Sequence, residues 1–394
     1  MFYLIIFLIL TLLAVVNIQF RDKLTNQVLV PFASLILIAV AGLRYETGGD
    51  WDSYTILFNT LPRWDQLMAH PRILFAENVE EGFVLLCAGI KALGGTVQHL
   101  FFVVTTINIT LIAIASYRYT KYPLVALMCY FGILYMQLEM IYIRQATAVA
   151  LCFFALQYLG DKKIWKYMAF IFLACLFHRV AVLMVPLYFV LDRKFPTWMY
   201  LAVIGVGAAM MLIGIPWIKT IFLTVAGWLG ENYADKADMY AEESLFAVSR
   251  KLSIGFLLNI LILIVVMYFH KEIDAMKNGT IMLNMFFLSL VLYYYCYELV
   301  EVSNRTRFFF FIGIIILLPM ILELLPLFMH RFVALIVIAL YCFSFSRAVF
   351  LEKPWAAAYN PYQNYIEFKM HPRPSTGKQR AQQSHEFFRD SRKN

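Results

Sequence analysis

The 394-residue chain is poor in charge: Lys, Arg, Asp and Glu supply only 15% of it, where soluble domains carry about 25%. A chain so sparsely charged and 62% hydrophobic is neither an ordinary soluble enzyme nor a disordered polymer. Glycine and proline are also scarce, 18 and 13 residues, which excludes a collagen-like chain. Cysteine is limited to Cys87, Cys129, Cys152, Cys175, Cys296 and Cys342. Each stands alone in an apolar run, without a CxxC pair or a Cys/His cluster. They read as small hydrophobes, and a disulfide frame or zinc site is not indicated. The histidines show neither HxxxH nor HExxH spacing, and no Walker loop, dinucleotide fingerprint or GxSxG elbow occurs. No motif here points to a metal or a cofactor.

What is abundant is long apolar stretches, so the expected fold is all-α, a polytopic transmembrane helical bundle. Clear spans cover about residues 2–20, 27–43, 97–117, 122–139, 141–159, 197–215, 252–269, 280–297, 308–326 and 332–350. The 164–191 stretch is interrupted by His178 and Arg179 and reads as a tight hairpin or as broken helices. Residues 82–95 are apolar but short, ending in Gly94 and Gly95, and read as re-entrant or interfacial. The sum is about 12 membrane helices, one or more of them broken or re-entrant, with short helices on the loops. The first run, 2–16, lacks a basic leader region and reads as a retained span.

Two regions are expected: a transmembrane body over 1–351 and a basic tail over 352–394, partly disordered, which carries much of the formal net charge of +8. Attraction to anionic lipid explains such a tail better than nucleic-acid binding. Compact basic clusters at Arg21/Lys23, Arg118/Lys121, Lys162/Lys163/Lys166, Arg193/Lys194 and Lys271/Lys277 fall on one side when 82–95 does not span and 164–191 is a two-pass hairpin. That side is cytoplasmic by the positive-inside rule, with the N-terminus and the tail outside. The outer side takes two long loops, 44–81 and 216–250, and most of the acids.

Five polar patches gather on that outer side. In GLRYETGGDWDSY (42–54), Arg44 leaves a span at the interface, where a guanidinium grips phosphate in a fork and still reaches water. The same stretch presents Asp50 as a general base and Tyr54 among aromatics suited to sugar faces. Glu80 and Glu81 precede an apolar helix, where an acid favours the positive end of the helix dipole; Glu81 is also a candidate substrate contact. Arg144 and Gln145 open a span; an intramembrane arginine points to function, the alternative being a structural pair with Glu139. His178 is a proton shuttle or a packing residue, beside Arg179. Arg305 and Arg307 mark the mouth of another span, where interfacial anchoring with Glu298 and Glu301 is the plain reading.

With these pieces in order, the chain resembles the EpsG-like branch of the Wzy polysaccharide polymerases. Leu43-Arg44, Gly49-Asp50, Tyr54, Glu81-Gly82-Phe83, Ile143-Arg144-Gln145, Phe177-His178-Arg179, Arg305, Arg307 and Asn360-Pro361-Tyr362 carry the resemblance across about residues 1–366. It implies an inner-membrane glycosyltransferase that joins undecaprenyl-pyrophosphate-linked oligosaccharide repeat units into O-antigen or exopolysaccharide on the outer face. Flippase and chain-length regulator proteins are the implied partners, beside membrane lipid, with no nucleic acid. The residue chemistry agrees: arginines stabilise a pyrophosphate leaving group, and one base serves the acceptor hydroxyl. Asp50 is the first choice for that base and His178 the second. Arg44, Arg144, Arg179 and Arg305 are expected on phosphate or glycan, with Tyr54, Glu81, Gln145 and Arg307 as further contacts. An envelope ligase or acyltransferase is the nearest alternative. A lipid-linked glycan transporter is the other, and would need charged groups accessible from both faces.

Overall fold

A computed structural model describes residues 1–76, 79–215, 217–229, 252–351, 357–377, 379–380 and 382–383. Most of the 216–250 loop, with Tyr233 and Tyr240, lies outside the described residues, as does the tail end with Lys378, Arg389, Arg392 and Lys393.

The fold is helical. In chain order the main elements are α1 (Phe2–Gln19), α2 (Lys23–Gly42), α3 (Trp51–Thr60), α4 (Glu81–Ala92), α5 (Val97–Tyr119), α6 (Pro123–Tyr130), α7 (Ile143–Gly160) and α8 (Ile164–Cys175). There follow α9 (Thr197–Ile213), α10 (Ile254–Tyr268), α11 (Gly279–Tyr295), α12 (Val300–Phe311), α13 (Ile314–Leu324), α14 (Phe328–Leu351) and α15 (Tyr365–Met370). Among the described residues, four helices are long and apolar enough to cross a membrane, α1, α2, α5 and α14, or up to six if each of two bent pairs counts as one span. The expectation of about twelve is not reached by this measure. Several apolar stretches form helices of only 10–17 residues, among them Pro123–Leu138, which runs through a π-helical segment, Phe131–Tyr135.

The apolar pattern explains why these helices suit lipid. In α1, Tyr3, Phe7, Leu10, Ala14 and Ile18 are buried at helical spacing, while Ile5, Leu8 and Leu12 point outward. The outward face is as hydrophobic as the inward one, so the medium around it must be hydrocarbon. Local signals set the ends. Asp22 caps α2 by accepting from the Thr25 amide at 2.7 Å, and Thr96 and His99 form a capping box at α5. Gly214 ends α9 in the left-handed region.

The chain divides into two compact units, residues 1–185 with 318–394, and residues 186–317. In the first unit the turns gather at two ends. At one end Asn17 donates to Asn26 at 2.7 Å and accepts from the Leu124 amide at 3.0 Å. Glu323 accepts from Thr120 and the Lys121 amide there, and Arg331 donates to the Tyr122 hydroxyl. Arg21 lies over the Tyr122 ring at this same end, so the clusters at Arg21 and Lys121 share one end, as the charge pattern requires.

The other end carries Arg44 and the start of the tail. Tyr3 near the N-terminus donates to the Tyr359 carbonyl, and Tyr362 donates to the Val40 carbonyl at 3.0 Å. The tail therefore returns to the end where α1 begins. Helix α4 starts there, with the Gly82 amide bonded to the Leu176 carbonyl at 2.8 Å. It leaves by a short turn into α5, whose Gln98 donates to the Gly42 carbonyl. So α4 enters and exits at one end and does not cross. The 164–191 stretch is α8, a turn at His178 and a short 3-10 segment, Arg179–Leu183.

In the second unit Asn284 of α11 ties three segments together: it accepts from Tyr200 at 2.6 Å and donates to the carbonyls of Leu191 and Arg193 at 2.9 Å.

Candidate functional site

The Arg44 end of the first unit is built from four turns and the tail. Loop 43–50 follows α2 and needs two left-handed residues, Glu46 at φ 47° and Gly48 at φ 105°. Glycine is required at position 48, since a Cβ there would sit 2.6 Å from the Met140 carbonyl oxygen. That approach presses the loop onto the Glu139–Met140 turn before α7.

Arg44 is fully buried, which corrects the expectation of an interfacial side chain reaching water. Tail residues 357–364 and the turn before α7 close over it. Its Nη1 donates to the Glu139 main-chain carbonyl and lies 3.2 Å from the Met140 Sδ. The guanidinium carbon stands 4.5 Å from the centre of the Phe101 ring. Nε and Nη2 are buried and find no hydrogen-bond acceptor among the described residues. A buried charged donor left unsatisfied costs about 1–3 kcal/mol or more, so these two nitrogens are a standing demand for an acceptor.

Glu139 does not pair with Arg144 as the alternative reading supposed. Its carboxylate accepts from Tyr130 at 2.6 Å and from Asn108 at 3.1 Å. Arg144, in the first turn of α7, instead bonds Glu80 at 2.5 Å and the Tyr54 hydroxyl, with the Phe83 ring 5.9 Å away. Tyr54 is buried on α3, in an apolar cluster that includes Phe83, Phe101 and Ile143.

Asp50 stands at the N-terminus of α3. It lies within electrostatic reach of both Tyr54 and the buried Tyr359, and so between the Arg144 and Arg44 neighbourhoods. Burial holds the Tyr359 phenol far above its ordinary value, with Arg44 opposing and Asp50 adding to the effect. This phenol stays neutral and donates to the Met136 carbonyl at 3.1 Å. Gln145 is buried in the same turn of α7 as Arg144.

The Glu80–Glu81 turn docks on the His178 turn: a Cβ on Gly82 would lie 2.7 Å from the Leu176 carbonyl oxygen. Glu81 faces Arg179 at 3.6 Å, and Arg179 is largely exposed, at 72% of its side chain. His178 is half-buried, its amide bonded to the Ala174 carbonyl. Arg44, Asp50, Tyr54, Glu81, Arg144, Gln145, His178 and Arg179 thus all lie at one end of one unit.

Arg305 and Arg307 belong to the second unit. Arg305 bonds Glu301 within α12 at 2.6 Å. Arg307 is buried between the rings of Tyr293 and Phe311 and donates to Asn259. Glu298 accepts from the amides of Trp217 and Ile218.

Sequence reasoning passed over Glu46, Tyr359 and Arg380. Glu46 was one loop acid among many, and Tyr359 and Arg380 lie beyond the last apolar run. The only sequence signal was Asn360-Pro361-Tyr362, already part of the family resemblance. Among the described residues no group of three or more His, Cys, Asp or Glu side chains is arranged to hold a metal ion.

A family model, the EpsG family, matches residues 27–364. No curated protein and no solved structure matches the chain.

Proposed function

Because the chain belongs to the EpsG family, whose members are Wzy-type polysaccharide polymerases, we propose that it polymerises oligosaccharide repeat units carried on undecaprenyl pyrophosphate. The observation that supports this reading is Arg44, fully buried with two guanidinium nitrogens that find no acceptor among the described residues. A phosphoryl oxygen is the acceptor a guanidinium fork suits best.

The chemistry follows from the neighbours. The acceptor sugar hydroxyl attacks the anomeric carbon of the donor glycan, and the bond from that carbon to the pyrophosphate oxygen breaks. Its electron pair leaves with the lipid pyrophosphate, whose charge Arg44 stabilises, with Arg144 as the second cation of the same end. The hydroxyl proton passes to Asp50, at the N-terminus of α3; His178 is the second candidate. Tyr54, Glu81, Gln145 and Arg179 shape the glycan side. The site faces the outside of the inner membrane, where a flippase delivers the substrate and a chain-length regulator limits the product. Arg305 and Arg307, in the second unit, are the remaining candidate glycan contacts.

The test is reconstitution of the purified protein in liposomes with one defined lipid-linked repeat unit. The expected product is a ladder of glycans, lost in Arg44→Ala. Transfer of a single unit to another acceptor would instead identify a ligase, and translocation without new glycosidic bonds a transporter.

A further inference from the structure

The described part of the tail does not hang from the last span; it is bonded into the Arg44 loop. The Tyr45 amide donates to the Gln363 carbonyl at 2.9 Å, and the Tyr365 amide donates to the Leu43 carbonyl at 2.8 Å. These two bonds flank Arg44 and pair it with Asn364 as an antiparallel bridge. The Gly48 amide donates to the Ala358 carbonyl at 2.9 Å.

Glu46, between these anchors, holds a left-handed backbone conformation, strained for a non-glycine residue. Its carboxylate accepts from the amides of Thr376 at 2.8 Å and Gly377 at 3.0 Å, and from the hydroxyl of Ser375. Arg380, itself buried, donates to the Glu46 carbonyl at 2.8 Å. It also binds the carbonyls of Ala357, Ala358 and Pro361 at 2.9–3.2 Å. One guanidinium therefore joins the strained residue to both limbs of the tail.

We propose that tail residues 357–365 and 375–377 and Arg380 are a working part of the site, in which Arg380 and the 375–377 turn are positioning elements that hold Glu46 and thereby aim Arg44. The guanidinium of Arg44 is set by a main chain that is fixed on both sides by residues more than 300 positions later in sequence. The same bonds assign Glu46 a structural use: its carboxylate is committed to the tail and is no candidate for the base. This inference rests on the polymerase reading for its kinetic arm, but its structural arm does not.

The experiment uses the full-length protein with Arg380→Ala and Arg380→Lys, and with the exposed Arg373→Ala as control. Amide hydrogen exchange is read over residues 43–50, with α5 as the internal reference. In Arg380→Ala, exchange at 43–50 rises about tenfold or more while α5 is unchanged, as loss of a charge-assisted hydrogen bond implies. Chain growth then loses kcat by about tenfold to a hundredfold with KM for the lipid-linked donor nearly unchanged, because Arg44 acts on charge that develops in the transition state. Lysine restores only part of this, since it lacks the fork that reaches four carbonyls; Arg373→Ala changes neither readout. Should Arg380→Ala fail to fold, Glu46→Gln takes its place, with the same loosening at 43–50 and at 375–377. Unchanged exchange at 43–50 overturns the proposal, as does equal loss of protection in α5, which marks general destabilisation. If the wild-type protein makes no polymer, the polymerase reading falls, and the exchange result alone decides the positioning role.

Discussion

At the scale of single residues, Arg44 and Arg144, which the sequence treats alike, have different surroundings. Arg44 is buried with spare donors, whereas Arg144 already has a carboxylate and a phenol. Replacement should therefore act differently on each. Arg44→Lys keeps the charge but not the fork, and its chain-growth rate should fall about tenfold to a hundredfold, measured with the reconstituted protein. Tyr54→Phe removes one hydrogen bond to Arg144; a loss of about two- to tenfold in kcat/KM is expected, in line with about 0.5–1.5 kcal/mol for one such bond. These arginines were legible in the sequence because a guanidinium at a span end is costly and rare. Their partners were not: Glu80 lies 64 positions from Arg144, and no periodicity connects a loop acid to a helix that distant.

Among the elements, α4 and the tail show how far the pattern of apolar residues reaches. The length of 82–95 correctly placed it as a segment that does not cross, since 12 helical residues span about 18 Å, short of the roughly 30 Å hydrocarbon core. Its docking on the His178 turn was invisible, because a glycine contact leaves no hydrophobic signature. Gly82→Ala tests that contact: the added methyl meets the Leu176 carbonyl, and a destabilisation of about 1–3 kcal/mol is expected, read as a lower midpoint of thermal unfolding. The short 3-10 and π-helical pieces likewise escaped a reading based on one helical period. Other expected spans, 252–269 and 280–297, form helices of 15 and 17 residues, too short to count as crossing helices by length.

For the molecule as a whole, the charge pattern and the packing agree on the two ends of the first unit. The Arg21 and Lys121 clusters share one end, and Arg44, α4 and residues 357–377 share the other. In a background free of reactive native thiols, Ser375→Cys and Asp52→Cys should label from the same side of the membrane with an impermeant maleimide, and Lys163→Cys from the opposite side. Labelling of Ser375→Cys together with Lys163→Cys would reverse the assignment. Composition settled the class of fold because hydrocarbon leaves the backbone few choices. It did not settle which distant loops meet, since such contacts are held by single hydrogen bonds and close approaches rather than by repeating patterns.

The bridge between Arg44 and Asn364 has a bearing on how the protein comes into being. Residues 43–48 are made more than 300 positions before residues 357–380, so synthesis must pass α14 before the loop acquires its partners. A nascent polypeptide halted after α14 would already carry its apolar helices yet lack the tail bonds around Arg44, and on the polymerase reading it would be inserted but inert.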